Sequence, residues 1–462
     1  MTDPTRRTLL AGLGAGAALL PSFAGVRAEA AQVGGYKALV CVFLFGGMDG
    51  HDVLIPYDQP SYDSFANLRS AIAPEATRGR SVLLPLAPRN GAQFGARQFA
   101  LPPELGGIKQ MFDTGRASVV ANVGPLVRPT DRRQYQDRAV DLPPRLFSHN
   151  DQQSVWQANA PEGARFGWGG LFADAALASG ANPGANAFTT VSTSGDSLFL
   201  TGERTAPFNL GSRGPTQIRE LRDAERRRDR SDANEQAYQR LRRHFSAADY
   251  RGNNLIARDV AAIMGTSLES NEAFLEAVAQ PPVLGTDFPA SRLGGQLRVI
   301  AETIAIRARL GVGRQVFFAA TGGYDTHSNQ VQSMPALLAE LDAAITAFQS
   351  SMEYLGADRD VTLFTGSDFG RTFAINGDGT DHGWGGHHFV VGGAVNGGNI
   401  FGDPPPPGFD HAWDAGRGRL IPGLSVDQYA ASLGSWFGLS GPELEAALPN
   451  LRNFDAPPPI MV

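Results

Sequence analysis

Three apolar runs of strand length, each emptying into an aspartate, constrain this 462-residue chain more than any other feature. Residues 38–45 stop at Gly-Gly-Met-Asp, which places Asp49 just past the run. Residues 315–321 stop at Gly-Gly-Tyr-Asp, which places Asp325 in the same position, with His327 two residues on. Residues 361–367 run directly into Asp368. The first is uninterrupted, which suits a strand buried on both faces of a sheet, and the other two read as strands of the same kind. In a parallel sheet their carboxyl ends lie along one edge, where open α/β sheets place their ligands.

The segments between these runs supply the covering layers. Residues 105–112 suggest a helix leading into a further buried strand at 117–124. Ser148 is placed to cap the start of a helix. Leu293, Leu297, Ile300, Ile304 and Leu310 recur near helical spacing, as do Leu338, Leu341, Ile345 and Phe348. A closing helix spans residues 426–436. Strands alternating with helices predict an α/β fold, a doubly wound and mainly parallel sheet with helices on both faces. From about 190 to 285 the strand signal weakens, and residues 215–251 mix arginines with acids, which predicts a helical insertion whose mixed charge does not favour a polyanion.

The amino terminus carries a different signal. Arg6-Arg7 precede a short Gly/Ala/Leu run and a small-residue cleavage site near Ala28 or Ala30. This reads as a twin-arginine export signal over residues 1–30, with an α/β domain over 31–462. The run falls short of the ~20 apolar residues that span a bilayer, so no stable membrane span is expected after processing. Cleavage after Ala28 removes three arginines and one aspartate and moves the net charge from −6 to −8. A mildly acidic mature chain does not favour nucleic acid. The single cysteine, Cys41, lies inside an apolar run and excludes an internal disulfide.

The richest loop follows the third strand. Asp381, His382, His387 and His388 are crowded into a glycine-rich stretch before another apolar run begins at Phe389. Three carboxylates converging at strand ends repel one another unless a cation neutralises them. Asp49, Asp325 and Asp368, joined by His327, Asp381, His382 and His387, form an oxygen and nitrogen ligand set that favours Zn²⁺ or Mn²⁺ over Ca²⁺. Bland alternatives stand beside each: Asp49 closing a turn, Asp325 making an Asx-turn, one of His387 and His388 pointing away. A hydrolytic metal site also needs an attacking group, either bound water or a hydroxyl at a helix start, and Ser148 is the candidate hydroxyl. Arg371 could clamp an anionic oxygen or pair with a nearby acid.

At these residues the chain resembles the exported bacterial family known as domain of unknown function 1501. The matching segments are the twin-arginine signal, F-L-F-G-G-M-D-G, Ser148-His149, G-G-Y-D-T-H-S-N-Q, S-D-F-G-R-T, D-H-G-W-G-G-H-H and G-G-A-V-N-G-G. They keep their order over nearly all of the mature chain. That family is grouped with the alkaline phosphatase superfamily, which includes sulfatases. The resemblance implies an alkaline phosphatase-like α/β core, one or two divalent metals at the strand ends and a hydroxyl or modified-cysteine nucleophile. By motif position, Asp49 resembles the first-strand ligand and Asp325 with His327 a later Asp/His pair. Asp368 falls at the superfamily's Asp-His pair, with His382 or His387 supplying the last histidine. Ser148 is the best match to the nucleophile. Phe369 stands where that pair carries histidine, which puts a second metal position in question. The reading is a periplasmic, metal-dependent hydrolase acting on an anionic small-molecule or polymer ester of phosphate or sulfate, and a partner of the twin-arginine export machinery. The alternative is a non-catalytic exported binding or assembly protein on the same scaffold.

Overall fold

A computed structural model of the chain describes residues 35–182, 187–211, 214–215, 218–246 and 254–462. The expected export signal at residues 1–30 lies outside the described residues. Among those described, no helix is long and apolar enough to cross a membrane.

Three strands form the centre of a ten-stranded sheet: Lys37–Leu44 (β1), Arg314–Thr321 and Val361–Ser367, with β1 pairing in parallel to both neighbours. Their ends are in register, since Leu44 lies opposite both Ser367 and Thr321. That register brings the three following loops to one edge. Ala117–Gly124 lies further out and is reached through Gly386–Val391, which runs antiparallel to Val361–Ser367 and to Ala117–Gly124. The reversal has a local cause: the hairpin of Arg371–Asn376 and Gly379–His382 turns the chain back with no crossover helix.

Alternation along β1 sends Ala38, Val40, Val42 and Leu44 into one core and Leu39, Cys41 and Phe43 into another. Helices Gly106–Asp113, Arg292–Ala305 and Gln330–Tyr354 cover the first face. Helices His149–Ala158, Trp168–Ala178 and Val426–Phe437 cover the second. The fold is thus α/β, with a mostly parallel sheet wound on both sides. Cys41 is a free, buried thiol.

Two short strands that the sequence pattern passes over, Thr190–Ser192 and Phe208–Gly211, extend the sheet beyond Arg314–Thr321. Three or four residues are too few to show a period. The helices Arg219–Glu225, Asp232–Phe245 and Leu255–Ala277 follow them, with Leu221, Tyr238 and Leu268 forming a small core of their own.

Candidate metal centre

The three strand-end loops meet because glycine lets them. Gly46 has φ +116°, and a Cβ there would stand 2.3 Å from the Asp325 backbone nitrogen, so the first loop touches the second only without a side chain. Arg371 locks the contact. Its buried guanidinium donates to the Gly46 carbonyl at 3.1 Å, to Asp325 Oδ1 at 2.6 Å and to the Thr380 carbonyl and hydroxyl. Burial alone would raise the Asp325 pKa, but the Arg371 hydrogen bond and charge outweigh it, so Asp325 is held ionised, below the usual carboxylate range.

Three imidazoles converge on this carboxylate. His382 Nε2 and His327 Nε2 lie 3.3 and 3.1 Å from Asp325 Oδ1, and His149 Nε2 lies 3.4 Å from Oδ2. His149, Asp325 and His382 each offer one ligand atom, and these lie within 4.8 Å of one another. Every ring has its other nitrogen against an oxygen. His149 Nδ1 is 2.6 Å from Asp368 Oδ2, His382 Nδ1 is 2.7 Å from the Phe147 carbonyl, and His327 Nδ1 is 3.4 Å from Asp381 Oδ1. A carbonyl can only accept, so neutral His382 carries its proton on Nδ1 and presents a bare Nε2. Burial lowers the His382 pKa, against the Phe147 contact, which favours that neutral form. The hydrogen bond from His149 to Asp368 raises the His149 pKa against the pull of burial.

Phe369 packs under the cluster. Its ring lies 4.9 Å from the His149 ring and 4.6 Å from the His382 ring, giving the cluster an apolar floor. The opposite side is open, with Asp325 at 42% and His327 at 44% exposure.

The other sequence candidates take different places. Asp49 is fully buried and pairs with Arg69 rather than joining the histidines. Asp368 is buried behind His149 and also accepts from Gly46 N and Gln153 Nε2, while its Oδ1 has no partner among the described residues. Asp381 is held by Arg417 at 2.7 Å and by Asn376 at 2.9 Å. His387 is buried, accepts the Asn122 amide at 2.9 Å on Nδ1, and has its pKa lowered to about 4 by burial. His388, on the other face of its strand, is packed on Trp156. Ser148 occupies the N-cap position of its helix but makes no side-chain cap bond to the backbone; its hydroxyl donates to Asp151 at 3.0 Å and not to a strand-end acid. Arg371 has its donors committed inside the protein, so it orients Asp325 and offers no open fork to an anion.

His149 is the ligand candidate that sequence reasoning missed. Its signal was present: a histidine directly beside the candidate serine at a helix start.

A family profile described as "Protein of unknown function (DUF1501)" matches residues 36–417. No curated protein matches the chain in sequence. Among solved structures, the PsFucS1 sulfatase from Pseudoalteromonas sp. is similar at 10% identity and a TM-score of 0.34, over 87% of this chain and 68% of that one. Similarity that low carries no argument about chemistry.

Proposed function

This chain belongs to the protein family of unknown function DUF1501, and on that premise we propose that it is an exported, periplasmic, metal-dependent hydrolase of phosphate or sulfate esters. We place it in the alkaline phosphatase superfamily. One observation carries the reading: His149, Asp325 and His382 each offer one ligand atom, and the three atoms lie within 4.8 Å of one another. Two imidazoles and a carboxylate suit Zn²⁺ or Mn²⁺, and three protein ligands with an open side are the pattern of catalytic rather than structural sites.

The supporting contacts have the form that metal-binding histidines need. Asp368 behind His149 and the Phe147 carbonyl behind His382 fix the rings and their tautomers. His327 stands beside the group, with its Nε2 2.9 Å from that of His382 and 3.1 Å from Asp325 Oδ1. When bound, a divalent ion supplies Lewis-acid polarisation of an anionic ester. The chain's own part is to hold Asp325 ionised through Arg371, keep His382 neutral and leave the Asp325 side open to substrate. With Ser148 hydrogen-bonded to Asp151, solvent water is the attacking group in this reading. Export rests on the twin-arginine sequence.

Metal analysis of the purified chain, with Asp325→Asn and His382→Ala as controls, tests the metal. Turnover of aryl phosphates, phosphodiesters and aryl sulfates that disappears in both variants tests the reaction. A metal-free wild type without turnover sinks the proposal. The second reading, a non-catalytic exported binding protein, is favoured by the Ser148 geometry, since its hydroxyl donates to Asp151 and not toward Asp325. Metal bound tightly with no turnover across the ester panel is its signature.

A further inference from the structure

The resemblance implies a metal ligand at Asp49, and the structure offers something else there. A carboxylate has about four lone-pair directions. Those of Asp49 are met by Arg69 Nη1 and Nη2 at 3.4 and 2.5 Å, Gln330 Nε2 at 2.6 Å and the His51 amide at 3.1 Å. Four donors leave no open direction for an ion. Arg69 is itself 1% exposed and lies near the rings of Phe65 and Phe373, at 5.9 and 5.6 Å. Its place is therefore defined by apolar packing as well as by charge. The neighbouring acid of the same loop is treated alike: Asp52 is gripped by Arg78 at 2.6 and 2.8 Å. Both acids after β1 thus have an arginine of their own, delivered by the segment just downstream.

We infer that the Arg69 guanidinium stands where a second cation would stand at Asp49, so that Asp49 binds no divalent ion and any ion the protein holds sits at the His149, Asp325 and His382 cluster alone. A fixed monovalent cation that cannot exchange replaces one that could. This inference shares with the hydrolase reading only the position of the histidine cluster.

The test uses the full mature chain with Mn²⁺ as the probe. Anomalous diffraction from Mn²⁺-soaked wild-type crystals is expected to place no ion beside Asp49, and elemental analysis to give at most one ion per chain. Replacing the pair together, Asp49→Asn with Arg69→Met, is expected to leave the metal count unchanged. Arg69→Ala, which frees the carboxylate, is expected to add one ion per chain. An anomalous peak at Asp49 in the wild type, or a count that falls in the double variant, overturns the inference. A folded Arg69→Ala protein that gains no ion does the same. Should Arg69→Ala fail to fold, the wild-type diffraction decides. A wild type with no ion anywhere sinks the hydrolase reading, and the Arg69→Ala count still decides this one.

Discussion

His382 Nδ1 stands 2.7 Å from the carbonyl oxygen of Phe147, a residue in the left-handed region at φ +73°. A non-glycine residue in that region is uncommon and carries strain. Here it turns a backbone carbonyl toward an imidazole 235 positions away, and so selects which ring nitrogen is bare.

The first prediction concerns that bare nitrogen. His382→Ala should weaken Zn²⁺ or Mn²⁺ binding by at least ~100-fold, while Asn150→Ala on the adjoining helix should leave it unchanged. Isothermal titration of the two variants checks this. Equal affinities would remove His382 from the site.

Asp368 acts through His149, so its replacement should be milder than loss of a ligand. Asp368→Asn is expected to lower metal affinity by ~10–100-fold without altering stoichiometry. Asp325→Asn should abolish binding. A stoichiometry change in Asp368→Asn would make Asp368 a ligand in its own right.

Ser148→Ala should change ester turnover by less than about threefold, because the hydroxyl is engaged by Asp151. His149→Ala should lose turnover altogether. If Ser148→Ala is inactive yet still binds metal, the serine is the nucleophile and its hydroxyl must turn from Asp151 during the reaction.

Gly46→Ala should cost ~3 kcal/mol in urea unfolding and weaken metal binding together, since a Cβ at 2.3 Å from the Asp325 nitrogen must push the second loop away. Gly377→Ala tests whether positive φ alone costs as much: its backbone is at φ +65°, but a Cβ would meet nothing within 4 Å. It should cost stability and spare metal binding.

A pH effect belongs to Asp427, in the first turn of the Val426–Phe437 helix. Burial pushes its pKa from 3.8 to about 6, against the hydrogen bond from the Asn450 amide. The folded state therefore favours the neutral acid. Its stabilising contribution is complete below the unfolded pKa and is lost as pH rises through about 6. Asp427→Asn should thus raise stability at pH 8 by up to about 3 kcal/mol and change nothing near pH 3.5. Urea unfolding at both pH values checks the sign.

Much of the fold was legible in the sequence because buried parallel strands are written as uncharged, largely apolar runs. Residues 38–45, 315–321 and 361–367 stand out for that reason, and their strand-end acids stand out with them. Side-chain partners across long separations were not legible. Arg69 lies in a proline-punctuated stretch with no period to mark it, and nothing local says that its guanidinium reaches Asp49. His149 was overshadowed by Ser148, since a hydroxyl at a helix start is read as chemistry before its neighbour is. Phe369, read as a broken Asp-His pair, turns out to be the floor on which two of the histidines rest.

Arg371 ties Gly46, Asp325 and Thr380 together, and its bond to Gly46 alone spans 325 positions of sequence. No shorter fragment of the chain contains both ends of that tie. The guanidinium that orients Asp325 therefore has all its partners only where the first and last strands of the central trio have paired. An ion at this carboxylate would thus read the state of the whole central sheet, because the geometry of its ligand depends on residues from both ends of the domain.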